Sequence, residues 1–408
     1  MKTLAILGST GSIGRQTLQV VESMPEKCRV VALAAGANLE ELAGQIARHR
    51  PQLVSVADAA KAAELRERLA QTANGAGLPE IMHGREGLLS VATHPEADTV
   101  VSAAVGVVGL EATYAAVQAG KRVALSNKEV LVAAGELVMA AAKAKGVELL
   151  PVDSEHNAIH QCLRAGRASE VRRLILTASG GPFRRTPIAQ MAQATPEQAL
   201  AHPNWRMGRR ISIDSATLVN KGFEVIEARW LFGVEPKQIE VVIHPQSTIH
   251  SMVEYVDGSI LAQLGPTDMR MPIRYALTYP EREGSNGVEL NWDDLRRLDF
   301  EKVPPRKFPC LRLARRAMEE GGAQTCALNA ADEIAVEAFL ERRMPFSGIA
   351  RVIEGVLDAM PKLALGSIDD VLAADGEARR LARLEVESAA ESMEKAGVRV
   401  SEPARYRE

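Results

Sequence analysis

The apolar run Leu4-Ala5-Ile6-Leu7 passes straight into Gly8-Ser9-Thr10-Gly11-Ser12-Ile13-Gly14, and a helical pattern follows through Val21. Strand, glycine-rich turn and helix in immediate succession restrict the possible folds more than any other feature of the chain. A G-x-x-G-x-x-G spacing in this setting is a variant of the dinucleotide fingerprint. Glycines let the backbone approach a pyrophosphate, and the N–H groups at the helix start bind it. A second apolar run over 30–35 ends at Gly36-Ala37-Asn38. A site for NAD usually places an acid there to hold the ribose 2′-hydroxyl. No acid occurs before Glu40, which favours NADP.

Further apolar runs over 53–56, 99–104, 122–125 and 147–152 alternate with helical stretches. This alternation predicts a doubly wound parallel sheet, a Rossmann-like domain over residues 1–150. Ligands of such sheets lie beyond the carboxyl ends of the strands. Ser126-Asn127-Lys128-Glu129 and Asp153-Ser154-Glu155 occupy two such ends. Lys128 and Glu129, taken alone, read as a solvated helix start. Asp153 and Glu155 in an extended segment would face one point and repel unless a proton or cation sat between them. Read instead as a helix N-terminus, Asp153 or Ser154 caps it and Glu155 suits its dipole. The local sequence serves both readings equally.

Residues 151–290 are expected to form a central α/β catalytic domain. A strand over 173–178 ends in Ser179-Gly180-Gly181-Pro182, either a phosphate cradle or a plain turn. A Pro- and Gly-punctuated stretch with His202, Trp205, Met207 and Gly208 suggests a lid over about 180–210, or a loop that Trp205 merely anchors. In the cluster 214–227, Asp214 or Ser215 is expected to cap a helix on which Asn220 and Glu224 share a face beside Lys221. A lysine, an amide and a hydroxyl suit a sugar phosphate. The bland alternative is a Lys–Glu pair on a wet face. A strand at 238–244 and a hairpin over 249–264 turning at Asp257-Gly258 follow. Five of the eight histidines lie between His156 and His250, which points to His202 and His244 for polar contacts. Residues 291–310, with Pro304, Pro305 and Pro309, read as a connecting arm, and 311–395 as a C-terminal α-helical bundle. Within that bundle Asn329, Asp332 and Glu333 read as an exposed face, and 396–408 as a mobile tail.

A chain of 408 residues exceeds one compact core, so two or three domains are expected. A net charge of −3, with no long apolar run, gives no reason to expect nucleic acid or a membrane as partner. Cys28, Cys162, Cys310 and Cys326 are scattered, with neither a zinc-knuckle nor a disulfide spacing. A reducing cytoplasm is the expected home, and Met1 leads almost directly into a strand with no room for a targeting peptide.

Several long stretches together resemble the 1-deoxy-D-xylulose 5-phosphate reductoisomerase family. They include residues 8–14, 126–129, Leu149-Leu-Pro-Val-Asp-Ser-Glu-His-Asn157, Ser179-Gly-Gly-Pro-Phe183, His202-Pro-Asn-Trp205, Asp214-Ser-Ala-Thr217, Asn220-Lys-Gly222 and Ile243-His-Pro-Gln-Ser247. The resemblance runs from residue 1 to about 390. It implies NADPH- and divalent-metal-dependent conversion of 1-deoxy-D-xylulose 5-phosphate to 2-C-methyl-D-erythritol 4-phosphate, on the methylerythritol phosphate route to isoprenoids. It further implies that Asp153, Glu155 and Glu224 hold one Mg²⁺ or Mn²⁺, with Co²⁺ admissible, as hard oxygen ligands suggest. Lys128, Ser154, Glu155, Ser179, His202, Ser215, Asn220, Lys221 and Glu224 would bind substrate under Trp205. Lys128 and His202 would join the three acids as catalytic residues. Thr10, Gly11, Ser12, Ile13, Gly36, Ala37, Asn38, Asn127, Glu129 and Gly208 would contact NADPH. Ala37 departs from the basic residue that many members carry there. A homodimer is implied, with the 249–264 hairpin as its expected interface. The rival readings are a metal-independent NADP-linked dehydrogenase, whose activity a chelator would spare, and a non-enzymatic NADP-sensing scaffold, in which the acidic cluster would be dispensable.

Overall fold

The computed structural model describes residues 1–72, 78–104, 106, 108–205, 207–293 and 295–395. The tail expected at 396–408 lies outside the described residues. The chain divides into two compact units. One comprises Met1–Val130, Val138–His160 and Asp268–Glu289; the other comprises Leu131–Leu137, Gln161–Thr267 and Leu290–Glu408.

The first unit is built on a seven-stranded parallel sheet. Its strands are β1 (Lys2–Leu7), β2 (Cys28–Ala34), β3 (Leu53–Val56), β4 (Glu80–His83), β5 (Thr99–Ser102), β6 (Arg122–Leu125) and β7 (Leu149–Pro151). They lie in the order β4-β3-β2-β1-β5-β6-β7, so the chain winds outward in both directions from the β1–β5 pair. The central strands are apolar without alternation because both faces are covered, and Leu4, Ile6, Leu33, Val54, Val101 and Leu150 share one core. β4 escaped the sequence reading, since in a four-residue strand only Ile81 is buried. The helix Arg270–Thr278 returns to this unit and adds Ile273, Ala276 and Leu277 to the same core. Lys2 Nζ fastens its end, donating to the Leu277 carbonyl at 2.6 Å.

The second unit holds a five-stranded mixed sheet in the order β11-β10-β8-β9-β12. Its strands are β8 (Val171–Ala178), β9 (Ile239–Ile243), β10 (Ile249–Tyr255), β11 (Ile260–Leu264) and β12 (Glu301–Lys302). β10 and β11 form the expected hairpin, with a Gly258 to Tyr255 turn bond at 3.0 Å. Four helices follow: Pro309–Glu320, Ala323–Leu340, Gly348–Ala359 and Ile368–Lys395. The face expected to be exposed on the second of them is not: Asn329 and Asp332 are fully buried. Residues on every side of that helix are buried, Thr325, Cys326, Leu328 and Ala331 among them, so local polarity is no guide to its wet face.

Candidate active site

In the first unit the glycine turn follows β1 as expected. Gly8 has φ +83°, and a Cβ there would meet the Ala103 carbonyl oxygen at 2.5 Å. The N–H groups of Gly8 and Ser9 both bond the Ala34 carbonyl at 2.9 Å, tying the turn to β2. The helix Ser12–Glu22 then starts behind Gly11 with no side-chain cap. Its first N–H groups have no acceptor within the helix and are available to an anion. Thr10, Gly11, Ser12 and Ile13 are open to solvent at least in part. At the end of β2, Gly36, Ala37 and Asn38 are exposed, and a Cβ at Gly36 would meet nothing within 4 Å. Asn38 caps the helix Leu39–His49, its Oδ1 accepting from the Glu41 N–H at 3.1 Å.

Asn127, beyond β6, is buried. Its amide donates to the carbonyls of Ala104 at 2.5 Å and Gly106 at 3.0 Å. Its Oδ1 has no hydrogen-bond partner among the described residues, leaving an orphaned acceptor where a cofactor amide can donate. A cradle that admits no Cβ, together with this acceptor, fits a dinucleotide. Glu129 opens the helix Glu129–Lys145.

Asp153 is not in an extended segment. Ser154 begins the helix Ser154–Leu163, and Asp153 stands just before it, its Oδ1 accepting from the Glu155 N–H at 3.3 Å. The pairing of the two acids therefore comes from a helix start rather than a strand. One oxygen of each still lies within 4.8 Å of the other. Lys128 Nζ lies 2.8 Å from Asp153 Oδ2. Burial alone would raise the Asp153 carboxyl, but the Lys128 ammonium, helped by His156, holds it well below the usual carboxylate range. His156, fully buried with Nδ1 3.6 Å from Asp153 Oδ1, is a contributor that the sequence reading passed over. Its position three residues after Asp153, on one helical face, was the available signal. Ser154 Oγ donates to Glu155 Oε2 at 2.5 Å. Half-buried carboxylate oxygens of this kind suit Mg²⁺ or Mn²⁺ better than zinc.

In the second unit Ser179 follows β8, and Gly180 and Gly181 come next with φ +83° and +64°. A Cβ at Gly181 would meet the Ser215 carbonyl oxygen at 2.7 Å, so this turn presses on the helix Arg209–Thr217. His202 Nε2 bonds Ser179 Oγ at 2.9 Å. Its Nδ1 accepts from the N–H groups of Asn204 at 3.2 Å and Trp205 at 2.9 Å. Two N–H donors on Nδ1 put the ring proton on Nε2 and require a neutral imidazole, and burial lowers the His202 pKa accordingly. Asn204, also missed in the sequence, ties the segment to Pro245 O at 2.5 Å and Ser247 Oγ at 3.0 Å. The expected lid over 180–210 is partly structured, with short helices at Ile188–Met191 and Pro196–Leu200. Trp205 is half-buried, its ring 6.3 Å from that of His250.

Asp214 and Ser215 do not cap a helix; they lie inside Arg209–Thr217, behind the N-cap Gly208. Leu218, at φ +59°, breaks the chain into a second helix, Val219–Phe232. There Lys221 and Glu224 form an ion pair, and Asn220 Nδ2 donates to Glu224 Oε1 at 2.6 Å. Lys221 is 3% exposed and Glu224 1%, so the bland alternative of a wet-face pair does not hold: the pair is buried. Two ions removed from water at the end of a broken helix are costly to stability, and such features concentrate at functional sites. His244 is structural: Nδ1 bonds the Asp299 carbonyl at 2.9 Å, and Nε2 accepts from the N–H groups of Thr248 and Ile249 at 3.2 and 3.1 Å.

Comparison with known proteins bears on this arrangement. The family signature of 1-deoxy-D-xylulose 5-phosphate reductoisomerase matches residues 4–135, and signatures of its C-terminal domains match 149–232 and 264–381. A 1-deoxy-D-xylulose 5-phosphate reductoisomerase of Solibacter usitatus is 54% identical over 390 residues, covering 94% of this chain and 97% of its own length. The protein of that name from Ectopseudomonas mendocina is 54% identical over 388 residues, covering 94% and 98%. Among solved structures, the Zymomonas mobilis reductoisomerase in complex with NADPH superposes with TM-score 0.88 at 45% identity, covering 95% of this chain and 99% of that one. A reductoisomerase in complex with NADPH, fosmidomycin and magnesium gives TM-score 0.90 at 42% identity, covering 95% and 98%.

Proposed function

The chain belongs to the 1-deoxy-D-xylulose 5-phosphate reductoisomerase family, and from that premise we propose how its residues divide the work. It is an NADPH- and divalent-metal-dependent enzyme that rearranges 1-deoxy-D-xylulose 5-phosphate and reduces the product to 2-C-methyl-D-erythritol 4-phosphate, a step of isoprenoid precursor synthesis. The ion, when bound, supplies Lewis-acid polarisation of the substrate oxygens, and the nicotinamide supplies hydride.

Asp153, Glu155 and Glu224 are assigned as the ion's ligands. The observation that carries this reading is Lys128 at 2.8 Å from Asp153: an ammonium in that position keeps the carboxylate ionised, as a ligand must be. Lys128 then serves the substrate oxygens beside the ion, with Ser154 and Glu155. Lys221, Asn220 and Ser215 are assigned to the phosphate, with Ser179 and neutral His202 beside it. Binding energy gathered on that remote group orients the reacting carbons. His202 also holds the backbone at Trp205, whose ring covers the substrate and excludes water from a reactive aldehyde. Thr10 to Ile13 hold the pyrophosphate, Gly36 to Asn38 the ribose end, and Asn127, Glu129 and Gly208 the remainder of the cofactor.

NADPH oxidation followed with 1-deoxy-D-xylulose 5-phosphate tests the whole reading: turnover should require added Mg²⁺ or Mn²⁺ and stop with EDTA. Turnover that survives exhaustive chelation would return the metal-independent dehydrogenase. We also propose a homodimer through edge strand β11, where Ile260 is 50% and Leu261 38% exposed. Gel filtration at monomer mass would end that assignment. The four cysteines are all buried, which accords with a cytoplasmic enzyme, and no described helix is long and apolar enough to cross a membrane.

A further inference from the structure

The helix Arg209–Thr217 is held from behind by a buried ionic cluster that the chemistry above does not use. Arg210 lies at its centre. Its guanidinium reaches Glu333 Oε1 at 2.8 Å, Asn329 Oδ1 at 3.1 Å, Asp332 Oδ2 at 3.6 Å and Asp214 Oδ2 at 3.8 Å. Arg379, from the last helix, binds the other oxygen of Glu333 at 2.5 Å and Asp375 at 2.6 Å. Two cations thus face four carboxylates, and three of these, Asp214, Asp332 and Asp375, are at most 8% exposed. The helix Pro309–Glu320 adds only Cys310, a thiol that burial together with Asp332 and Asp214 pushes far up and keeps neutral. Among the described residues of the cluster, full ionisation would set four carboxylates against two guanidiniums.

Asp332 is the weak point of this arrangement. It is fully buried, it reaches Arg210 only at 3.6 Å, no N–H or hydroxyl among the described residues donates to either of its oxygens, and its carboxyl faces that of Asp214 within hydrogen-bonding reach. We propose that Asp332 is a positioning residue: as an uncharged carboxylic acid it wedges between the C-terminal helices and Asp214, leaves Arg210 to Asp214 and Glu333, and so fixes the helix that presents Ser215. Burial, reinforced by the neighbouring Asp214, drives its carboxyl well above the ordinary range, in keeping with that state. The helix ends at Leu218, whose left-handed backbone sets the start of the segment with Asn220, Lys221 and Glu224. A shift of Arg209–Thr217 therefore moves the phosphate-binding groups together. The proposal rests on the assignment of those groups to the substrate phosphate.

The test compares Asp332→Asn and Asp332→Ala with the wild-type enzyme. Asn preserves volume and neutrality, so KM for 1-deoxy-D-xylulose 5-phosphate should stay near the wild-type value. Ala should raise KM about tenfold with a smaller change in kcat, the scale of one lost buried contact. The infrared difference spectrum of wild type minus Asp332→Asn at neutral pH should show the C=O stretch of a protonated carboxyl. Absence of that band, an Asn variant impaired as badly as Ala, or an Ala variant with unchanged KM would each overturn the proposal. If Asp332→Ala does not fold, the Asn variant and the infrared band decide alone. Wild-type protein inactive on this substrate would refute the functional reading instead, while the infrared band would still report on Asp332.

Discussion

Gly14→Ala isolates what the glycine turn contributes to cofactor binding. A Cβ built on Gly14 would lie 2.3 Å from the Gly8 carbonyl oxygen and 2.5 Å from both Cα and O of Ser9. Ordinary carbon contacts lie at about 3.5–4.0 Å, so the helix Ser12–Glu22 must retreat by about 1 Å from the turn. All three obstructing atoms are backbone, and no side chain can swing away to relieve them. Overpacking of this kind costs about 1–3 kcal/mol. The same retreat separates the N–H groups that must converge on a pyrophosphate. If a comparable loss falls on binding, NADPH affinity drops about fivefold to 150-fold at about 1.4 kcal/mol per decade. Fluorescence titration with NADPH reads this directly, and a thermal melt confirms that the variant is folded. Gly44→Ala is the control: Gly44 is an exposed residue inside the helix Leu39–His49, and a Cβ there meets nothing within 4 Å. That variant should bind NADPH normally and gain up to about 1 kcal/mol in stability. A folded Gly14→Ala protein that binds NADPH as tightly as the wild type would refute the argument that close approach at this turn builds the site.

Asp153→Asn should reduce Mg²⁺-dependent turnover by more than about a hundredfold, the upper range for outer partners of a metal alone, while the NADPH titration stays unchanged. Unaltered Mg²⁺ dependence in that variant would remove Asp153 from the ligand set. Lys221→Met takes the cation from a carboxylate that is 1% exposed and should destabilise the protein by about 3–5 kcal/mol in urea unfolding. Adding Glu224→Leu should restore much of that stability and none of the activity; a double variant no more stable than the single one would contradict the pairing. Burial lowers the pKa values of His202 and His244, and the acceptor nitrogen of each faces two backbone N–H groups. Protonation is then easier in the unfolded chain, so the stability they contribute is complete above about pH 6.5 and is lost as pH falls through their lowered folded values. Urea midpoints that hold steady or rise between pH 7.5 and 5.5 would show that these rings are not held neutral.

What could be read from the sequence depended on how far each requirement reaches along the chain. Gly8 and Gly14 answer to atoms a few residues away or at the next strand end, and a strand–turn–helix pattern announces them without any knowledge of the remaining fold. The two acids after β7 were legible as chemistry but not as geometry. A helix cap and a metal ligand had stood as alternatives, yet a carboxylate has two oxygens. Asp153 receives the Glu155 N–H on one while Lys128 meets the other, so capping the helix is what holds the second oxygen in place. The wet-face alternative for Lys221 and Glu224 stood open in the sequence because helical spacing shows which residues share a face, not what covers it. The same limit hid the return of Arg270–Thr278 to the first sheet, and it hid Asp332. Arg210 finds Asn329 and Glu333 across 119 and 123 residues, and no local pattern distinguishes a helix whose polar stripe meets solvent from one whose stripe meets a buried guanidinium. Leu328, Val336 and Phe339, which share the helical face of Asn329 and Asp332, signal that the face is covered, though not by what, because a face that meets water rarely carries so much apolar surface.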